Sequence, residues 1–103
     1  MRFEVLLAPE AIQDFRRLDA HTRAEVRDAL EVHLRHEPTK VSRSRIKRLR
    51  GLARPQYRLR VGEVRIFYDV VGSEVWVLAI VEKSRASAWL AALGEPNEEG
   101  GSV

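Results

Sequence analysis

The sequence predicts an α+β fold, in which a helical hairpin packs on a mostly antiparallel four-stranded sheet. Three observations support this prediction. Apolar residues recur at helical spacing between residues 9 and 36. On both sides of Gly62-Glu63 they alternate with polar residues, which is the pattern of a β-hairpin. A further apolar run over residues 74–81 follows a second turn at Gly72-Ser73.

The N-terminal part is predicted to form one strand and two helices. Residues 2–7 alternate weakly, as a first strand would. Pro9 suits the first turn of a helix, because its missing N–H would have no partner there, and the apolar spacing extends this helix to Leu18. Asp19 is a suitable N-cap for a second helix over residues 20–36. The short connection between these helices indicates an antiparallel pair.

Three strands and a last helix are predicted to follow. A two-residue loop with glycine first favours a type II′ turn, and that turn places Arg60 opposite Arg65. Residues 74–81 are apolar on both sides, which indicates a strand that is central in the sheet or covered. Residues 84–93 form the last helix, so the element order is β-α-α-β-β-β(-α). The apolar face of the hairpin is the predicted core face, and it consists of Tyr57, Leu59, Val61, Val64, Ile66 and Tyr68.

Length and composition limit the kinds of protein this can be. At 103 residues the chain forms one domain, placed at residues 1–93, and residues 94–103 are predicted to be a disordered acidic tail. Cysteine is absent and the three histidines are scattered, so no metal site and no cofactor are expected. No apolar run approaches the ~18 residues that span a membrane. The N-terminal apolar run is too short for a signal peptide, and the expected compartment is the cytoplasm.

Positive charge is concentrated in one segment. Residues 40–65 contain ten basic residues and one glutamate, a net charge of +9, whereas the whole chain carries +3. Such a basic segment is expected of a protein that binds nucleic acid or an acidic partner. Residues 39–54 are predicted to be a basic loop that contacts phosphate, and the alternative is a mobile loop that only aids solubility. The predicted RNA-binding residues of this loop are Lys40, Arg43, Arg45, Lys47, Arg48, Arg50 and Arg54.

Three arginines share the second face of the predicted hairpin. Arg58, Arg60 and Arg65 lie on it, and Arg60 faces Arg65 directly across the strands. Like charges at opposed positions destabilise a sheet by roughly 0.2–1 kcal/mol, so their presence suggests a function. Each guanidinium offers a planar fork that matches a phosphate group. The alternative is that this face is a solvated outer face of the sheet.

Four short motifs give the chain a resemblance to a known family. They are Pro9-Glu10-Ala11, Leu49-Arg50-Gly51-Leu52, Tyr57-Arg58-Leu59-Arg60-Val61-Gly62 and Arg65-Ile66-Phe67-Tyr68. In this order and spacing, over about residues 2–93, they resemble the RelE/ParE superfamily of toxins from bacterial toxin–antitoxin modules. The resemblance implies a RelE-like fold. For RelE-like members it also implies ribosome-dependent cleavage of mRNA without a metal.

The resemblance implies roles for individual residues. In RelE-like toxins the ribose 2′-hydroxyl attacks the adjacent phosphate, and basic residues on the sheet face supply the catalysis. Arg58 and Arg60 fall at basic positions of the family, and Arg65 falls at the arginine that stabilises the charge developing on the phosphate. Either Ser84 or Arg85 falls at the arginine that serves as general acid, and Lys83 is the alternative for that role. Two further RNA contacts are expected, at Lys83 and at Trp89, which is the nearest aromatic residue for stacking on a base.

Two departures from the family pattern make a slow nuclease the expectation. No tyrosine follows Tyr68, and arginine, with a pKa above about 12, is a poor proton acceptor. Missing acid–base help typically costs about 10²–10⁴-fold in rate. The alternatives are a ParE-like inhibitor of DNA gyrase and a family member that only binds. The expected partners are the ribosome, mRNA and a cognate antitoxin whose short acidic segment covers residues 40–65.

Overall fold

The computed structural model describes residues 2–97 and confirms the α+β prediction. Helices and strands follow one another in an order close to the expected one. In chain order the elements are β1 (Glu4–Leu7), α1 (Pro9–Arg17), α2 (Ala20–Ala29), β2 (Ile46–Arg48), β3 (Leu52–Arg54), β4 (Tyr57–Val61), β5 (Val64–Val71), β6 (Glu74–Glu82), α3 (Ala86–Leu93) and β7 (Glu95–Pro96).

The main sheet has the strand order β1-β6-β5-β4-β2. β1 pairs with β6 in parallel, and the other neighbours pair antiparallel, so the sheet is mostly antiparallel as predicted. The register of the central hairpin is also confirmed, with Val61 opposite Val64 and Arg60 opposite Arg65. Gly62 has a φ of 56°, a conformation that glycine adopts at little cost and that a type II′ turn requires.

The sheet has five strands and not the predicted four, because part of the basic loop is a strand. β2 pairs antiparallel with β4, so that Lys47 lies opposite Arg58. The backbone N–H of Arg60 also donates to the carbonyl of Arg45, at 2.9 Å. β2 is a short edge strand, and charged side chains are common on such strands because they discourage pairing with other chains. In the sequence, the charged residues of this segment favour a loop, which is why the strand was not predicted.

The two predicted helices are present, and the second one changes its geometry near its end. Asp19 caps α2 as predicted, since its carboxylate accepts a hydrogen bond from the N–H of Thr22 at 2.7 Å. After α2 the chain continues as a π-helical turn, Leu30–Leu34. α1 is tied to the sheet by Asp14, whose carboxylate accepts a hydrogen bond from the N–H of Ile80 in β6 at 3.0 Å.

The core lies between the first face of the sheet and these helices. Five of the six residues of the predicted core face are buried, and Tyr57 is partly buried against them. The Tyr57 and Tyr68 rings stack with their centroids 5.4 Å apart. The buried Tyr68 hydroxyl donates to the carbonyl of Pro38 at 2.6 Å, which ties the end of the helical region to the sheet. Burial raises the pKa of Tyr68, so this hydroxyl stays a donor.

α3 covers the part of the second face of the sheet around Phe67, whereas Arg60 on the same face is exposed. Phe67 is completely buried on this face, and its ring stacks on Trp89 of α3 with centroids 4.9 Å apart and planes 2° apart. A short 3-10 turn, Lys83–Arg85, connects β6 to α3. The last helix therefore begins two residues later than predicted and closes over the arginine face.

The segment after α3 differs from the predicted disordered tail. Glu95–Pro96 forms β7, which pairs with β3 so that Glu95 lies opposite Arg54. The opposite charges of these two side chains favour this pairing. Residues 98–103 of the predicted tail lie outside the described residues.

Candidate functional site

A basic pocket lies between the second face of the sheet and α3. Its volume is about 400 Å³. Four cationic side chains line it, namely Lys47, Arg58, Arg65 and Lys83. The sheet order places them in a row, because β2, β4 and β5 each contribute one and Lys83 directly follows β6. The rest of the lining comes from Leu49, Phe67, Ala86, Ser87 and Leu90.

The side chain of Arg58 contains an unsatisfied hydrogen-bond donor. Its side chain is half-buried, and its Nε is buried and has no hydrogen-bond partner among residues 2–97. Burial lowers the pKa of Arg58, and the neighbouring charges of Arg65 and Arg60 lower it further. A buried donor without a partner costs about 1–3 kcal/mol. The side chain of Arg58 also lines the basic pocket, where its guanidinium can donate to a phosphate oxygen.

Arg65 is fixed in one orientation by its own turn. It is only 7% exposed, and its Nη1 donates to the carbonyls of Gly62 at 2.9 Å and Val64 at 3.0 Å. These carbonyls orient the guanidinium without neutralising it. Within the part of the chain that the structure describes, no carboxylate forms an ion pair with Arg58, Arg60 or Arg65. The charge of this group is thus left for a ligand.

Two of the four predicted catalytic arginines do not line the basic pocket. Arg60 is exposed beside it, although it lies opposite Arg65 as predicted. Arg85 lies in a different cavity of about 170 Å³, which Asp14 and Glu82 also line. Arg85 therefore lies outside the basic pocket, whereas Lys83 lines it.

The predicted RNA-binding residues of the basic loop separate into different roles. Arg48 donates from Nη1 to the carbonyl of Gln56 at 2.7 Å, and its guanidinium lies 5.2 Å from the Tyr57 ring centroid. Arg54 pairs with Asp69 at 3.1 Å. Lys47 lines the basic pocket. The remaining residues of this group are exposed, namely Lys40, which pairs with Glu37 at 3.4 Å, and Arg43, Arg45 and Arg50.

Trp89, which is predicted to stack on a base, does not line the basic pocket. One face of its indole is already covered by Phe67. Trp89 also lines a second cavity of about 350 Å³, together with Pro55, Leu78 and Leu93. It therefore holds α3 on the sheet, between the basic pocket and this second cavity.

Asp69 is a site residue that the sequence did not single out. It is buried, and its carboxylate accepts a hydrogen bond from the N–H of Gln56 at 2.7 Å in addition to its ion pair with Arg54. Burial raises the pKa of Asp69 against the opposing effects of the Gln56 N–H and Arg54. These contacts fix the connection between β3 and β4. The strand that follows this connection, β4, carries Arg58. In the sequence, the period-two alternation that assigns Phe67 to the arginine face also assigns Asp69 to it, and this pattern could have identified Asp69.

The described residues offer neither a metal cluster nor a membrane helix. In residues 2–97, no group of three or more His, Asp or Glu side chains is arranged to hold a metal ion. No helix in that part of the chain is long and apolar enough to cross a membrane.

Comparison with known proteins identifies a family model and several structures of similar fold. The model described as the ParE toxin of the type II toxin–antitoxin system parDE matches residues 5–87. No curated protein sequence matches the chain. Among solved structures, a chain of the toxin–antitoxin complex RelBE2 from Mycobacterium tuberculosis is 23% identical with a TM-score of 0.66, over 80% of this chain and 99% of that one.

Two further structures extend this likeness in fold. A chain of the RelB–RelE antitoxin–toxin complex from Methanococcus jannaschii is 19% identical with a TM-score of 0.57, covering 82% of this chain and 96% of that one. The YoeB dimer from Staphylococcus aureus is 16% identical with a TM-score of 0.59, covering 79% and 97%. At these identities the likeness is one of fold.

Proposed function

The chain belongs to the ParE toxin family of type II toxin–antitoxin systems, within the RelE/ParE superfamily, and on that premise we propose that it is a ribosome-dependent mRNA endoribonuclease. In this reaction the ribose 2′-hydroxyl attacks the adjacent phosphate, and the 5′-oxygen of the next nucleotide leaves. Arg58 and Arg65 stabilise the charge that develops on the phosphate oxygens. The ribosome orients the RNA for in-line attack.

The observation that supports this proposal is the basic pocket. Four cations line it, and among the residues that the structure describes no carboxylate or imidazole does. A pocket of this charge suits a phosphodiester, and about 400 Å³ accommodates one nucleotide of a bent strand. Preorganised cations of this kind are often the largest single contribution to stabilising a transition state.

The partners of the proposed reaction follow from the same surface. The mRNA strand and the ribosome contact the pocket and the exposed cations Arg43, Arg45 and Arg50. A cognate antitoxin with a short acidic segment covers residues 40–65 and blocks the pocket. Support for an antitoxin comes from the structures of similar fold that were solved as antitoxin–toxin complexes.

The test is cleavage of mRNA on programmed ribosomes. The protein is added to ribosomes loaded with a defined message, and cuts are mapped by primer extension. We expect cleavage that Arg58→Gln reduces by at least about 100-fold, since a charge that stabilises the transition state is lost. Arg16→Gln removes the same charge from an exposed position on α1, outside the basic pocket, and serves as the matched control. An uncut message at stoichiometric protein refutes the proposal.

A second candidate function is inhibition of DNA gyrase. The observation that favours it is that the matching family model is that of the ParE toxins. A supercoiling assay with purified gyrase separates the two candidates. Inhibition of supercoiling together with an intact message supports this second function, while a cut message and active gyrase support the first. If neither target is affected, the chain is a family member that only binds.

A further inference from the structure

After α3 the chain returns to the basic loop. Gly94 begins this return, and a Cβ at this position would lie 2.6 Å from the carbonyl oxygen of Leu90, so a side chain there would force the backbone to move. β7 then pairs antiparallel with β3. The N–H of Asn97 donates to the carbonyl of Gly51 at 3.0 Å. The last described residue therefore lies beside the turn that joins β2 to β3.

This turn borders the basic pocket. Leu49 precedes Gly51 in the same turn, and it lines the pocket together with Lys47 of β2. Arg58 on β4 and Arg65 on β5 follow across the sheet, each one strand further from β2. Because neighbouring strands are about 4.8 Å apart, β5 lies about 10 Å from β2. The described chain thus reaches the pocket on its β2 side.

The residues that come next in the sequence are acidic and can reach these cations. Glu98 and Glu99 directly follow Asn97, and they belong to the six residues 98–103. An extended chain spans about 3.3–3.6 Å per residue, so this segment can extend for about 20 Å. That length is about twice the distance from β2 to β5. The two carboxylates can therefore lie over the strand cations of the pocket.

The pocket cations have no acidic partner within the part of the chain that the structure describes. None of the four forms an ion pair there, and no carboxylate lines the pocket. A surface with this density of positive charge attracts an acidic segment. Attachment to the same chain favours the contact further, because it gives the segment a high effective concentration at the pocket.

We infer that residues 98–103 are the intramolecular occupant of the basic pocket, where Glu98 and Glu99 pair with Lys47 and Arg58 on its β2 side. Ion pairs that include an exposed partner are individually weak, so this contact exchanges readily. The segment competes with any polyanion for the pocket, RNA included, and must leave before such a ligand enters. The competition needs no cleavage chemistry, so the inference goes beyond the proposed nuclease activity.

The first test detects the contact in the full chain without RNA. Glu98→Gln combined with Glu99→Gln removes both charges and keeps the chain length. We expect the backbone amide resonances of Lys47 and Arg58 to differ between this variant and the unaltered protein at low salt. They should coincide at high salt, because screening weakens exposed ion pairs. Coincident resonances at both salt concentrations overturn the inference. A difference that disappears on dilution would place the segment in the pocket of a second copy, which also overturns it.

The second test measures the competition. The ligand is a short single-stranded oligouridylate, and its affinity is measured by fluorescence anisotropy. We expect the variant without the Glu98 and Glu99 charges to bind about 2–30-fold more tightly at low salt, the range that two exposed ion pairs allow. Glu25→Gln combined with Asp28→Asn is the matched control, because it removes two charges from exposed positions on α2.

The control separates a local contact from the effect of net charge. An equal gain in affinity in both double variants would mean that net charge alone matters, and it would overturn the inference. An unchanged affinity of the variant without the Glu98 and Glu99 charges would overturn it as well. If none of the proteins binds the oligonucleotide, the proposed RNA function is contradicted, and the amide resonances still decide whether residues 98–103 occupy the pocket.

Discussion

Replacing Arg58 is expected to stabilise the fold while it removes function. The buried Nε of Arg58 has no partner within the described residues, and two like charges lie close to it. Arg58→Met keeps an unbranched side chain that extends as far as the Nε position, and it removes both the buried donor and the charge. Because an unpaired buried donor costs about 1–3 kcal/mol, the free energy of unfolding should rise by about that amount.

The corresponding rise in melting temperature is measurable. In a domain of this size, 1 kcal/mol shifts the melting temperature by about 4–8 °C. Urea denaturation should show a higher midpoint with an unchanged slope, since the surface exposed on unfolding is nearly the same. Binding to a short single-stranded RNA should weaken in the same variant. Arg60→Met is the matched control, because Arg60 is exposed and its replacement should change stability by less than about 0.5 kcal/mol.

The reasoning is refuted by a loss of stability in Arg58→Met. Such a loss would mean that the arginine makes favourable contacts within the fold that outweigh its unpaired donor. If Arg58→Met bound RNA as tightly as the unaltered protein, the prediction that the Arg58 charge contributes to RNA binding would be refuted.

Three further predictions concern the groups that hold the site together. Tyr68→Phe leaves the buried carbonyl of Pro38 without its donor, so the free energy of unfolding should fall by about 1–3 kcal/mol in urea titrations. Trp89→Ala removes the ring that covers Phe67 and should cost about 3–5 kcal/mol if α3 stays docked; faster amide exchange confined to α3 would show that the helix detaches instead. The raised pKa of Asp69 predicts a pH effect: the stability it contributes is full below the usual aspartate value of 3.8 and is lost as pH rises through the raised value. The unfolding free energy of the unaltered protein minus that of Asp69→Asn should therefore decrease between pH 3 and pH 7, and an increase would contradict this sign.

Turn chemistry made the central hairpin predictable from the sequence. Glycine at the first loop position fixed the register, and period-two alternation then assigned each side chain to a face. The core face and the pairing of Arg60 with Arg65 followed directly. Local signals of this kind do not depend on what packs from elsewhere in the chain.

Features that depend on tertiary contacts were not predictable in the same way. β2 is a strand because β4 offers it an edge, and its own charges suggest a loop. The placement of Lys47 in the pocket follows from that pairing. Nothing local indicates that α3 closes over the second face, yet this decides that Trp89 meets Phe67 and that Arg85 lies outside the pocket.

The cations of the basic pocket come from different strands, since β2, β4 and β5 contribute one each and Lys83 follows β6. The pocket is therefore complete only when these strands are correctly paired. Because side chains alternate between the two faces, a slip of one residue in a strand would turn its cation toward the core. A chain with one misregistered strand would thus lack part of the basic pocket even if it were compact. Under the proposed function, only molecules that have completed every strand pairing would cleave RNA, and newly made or damaged chains would be inert.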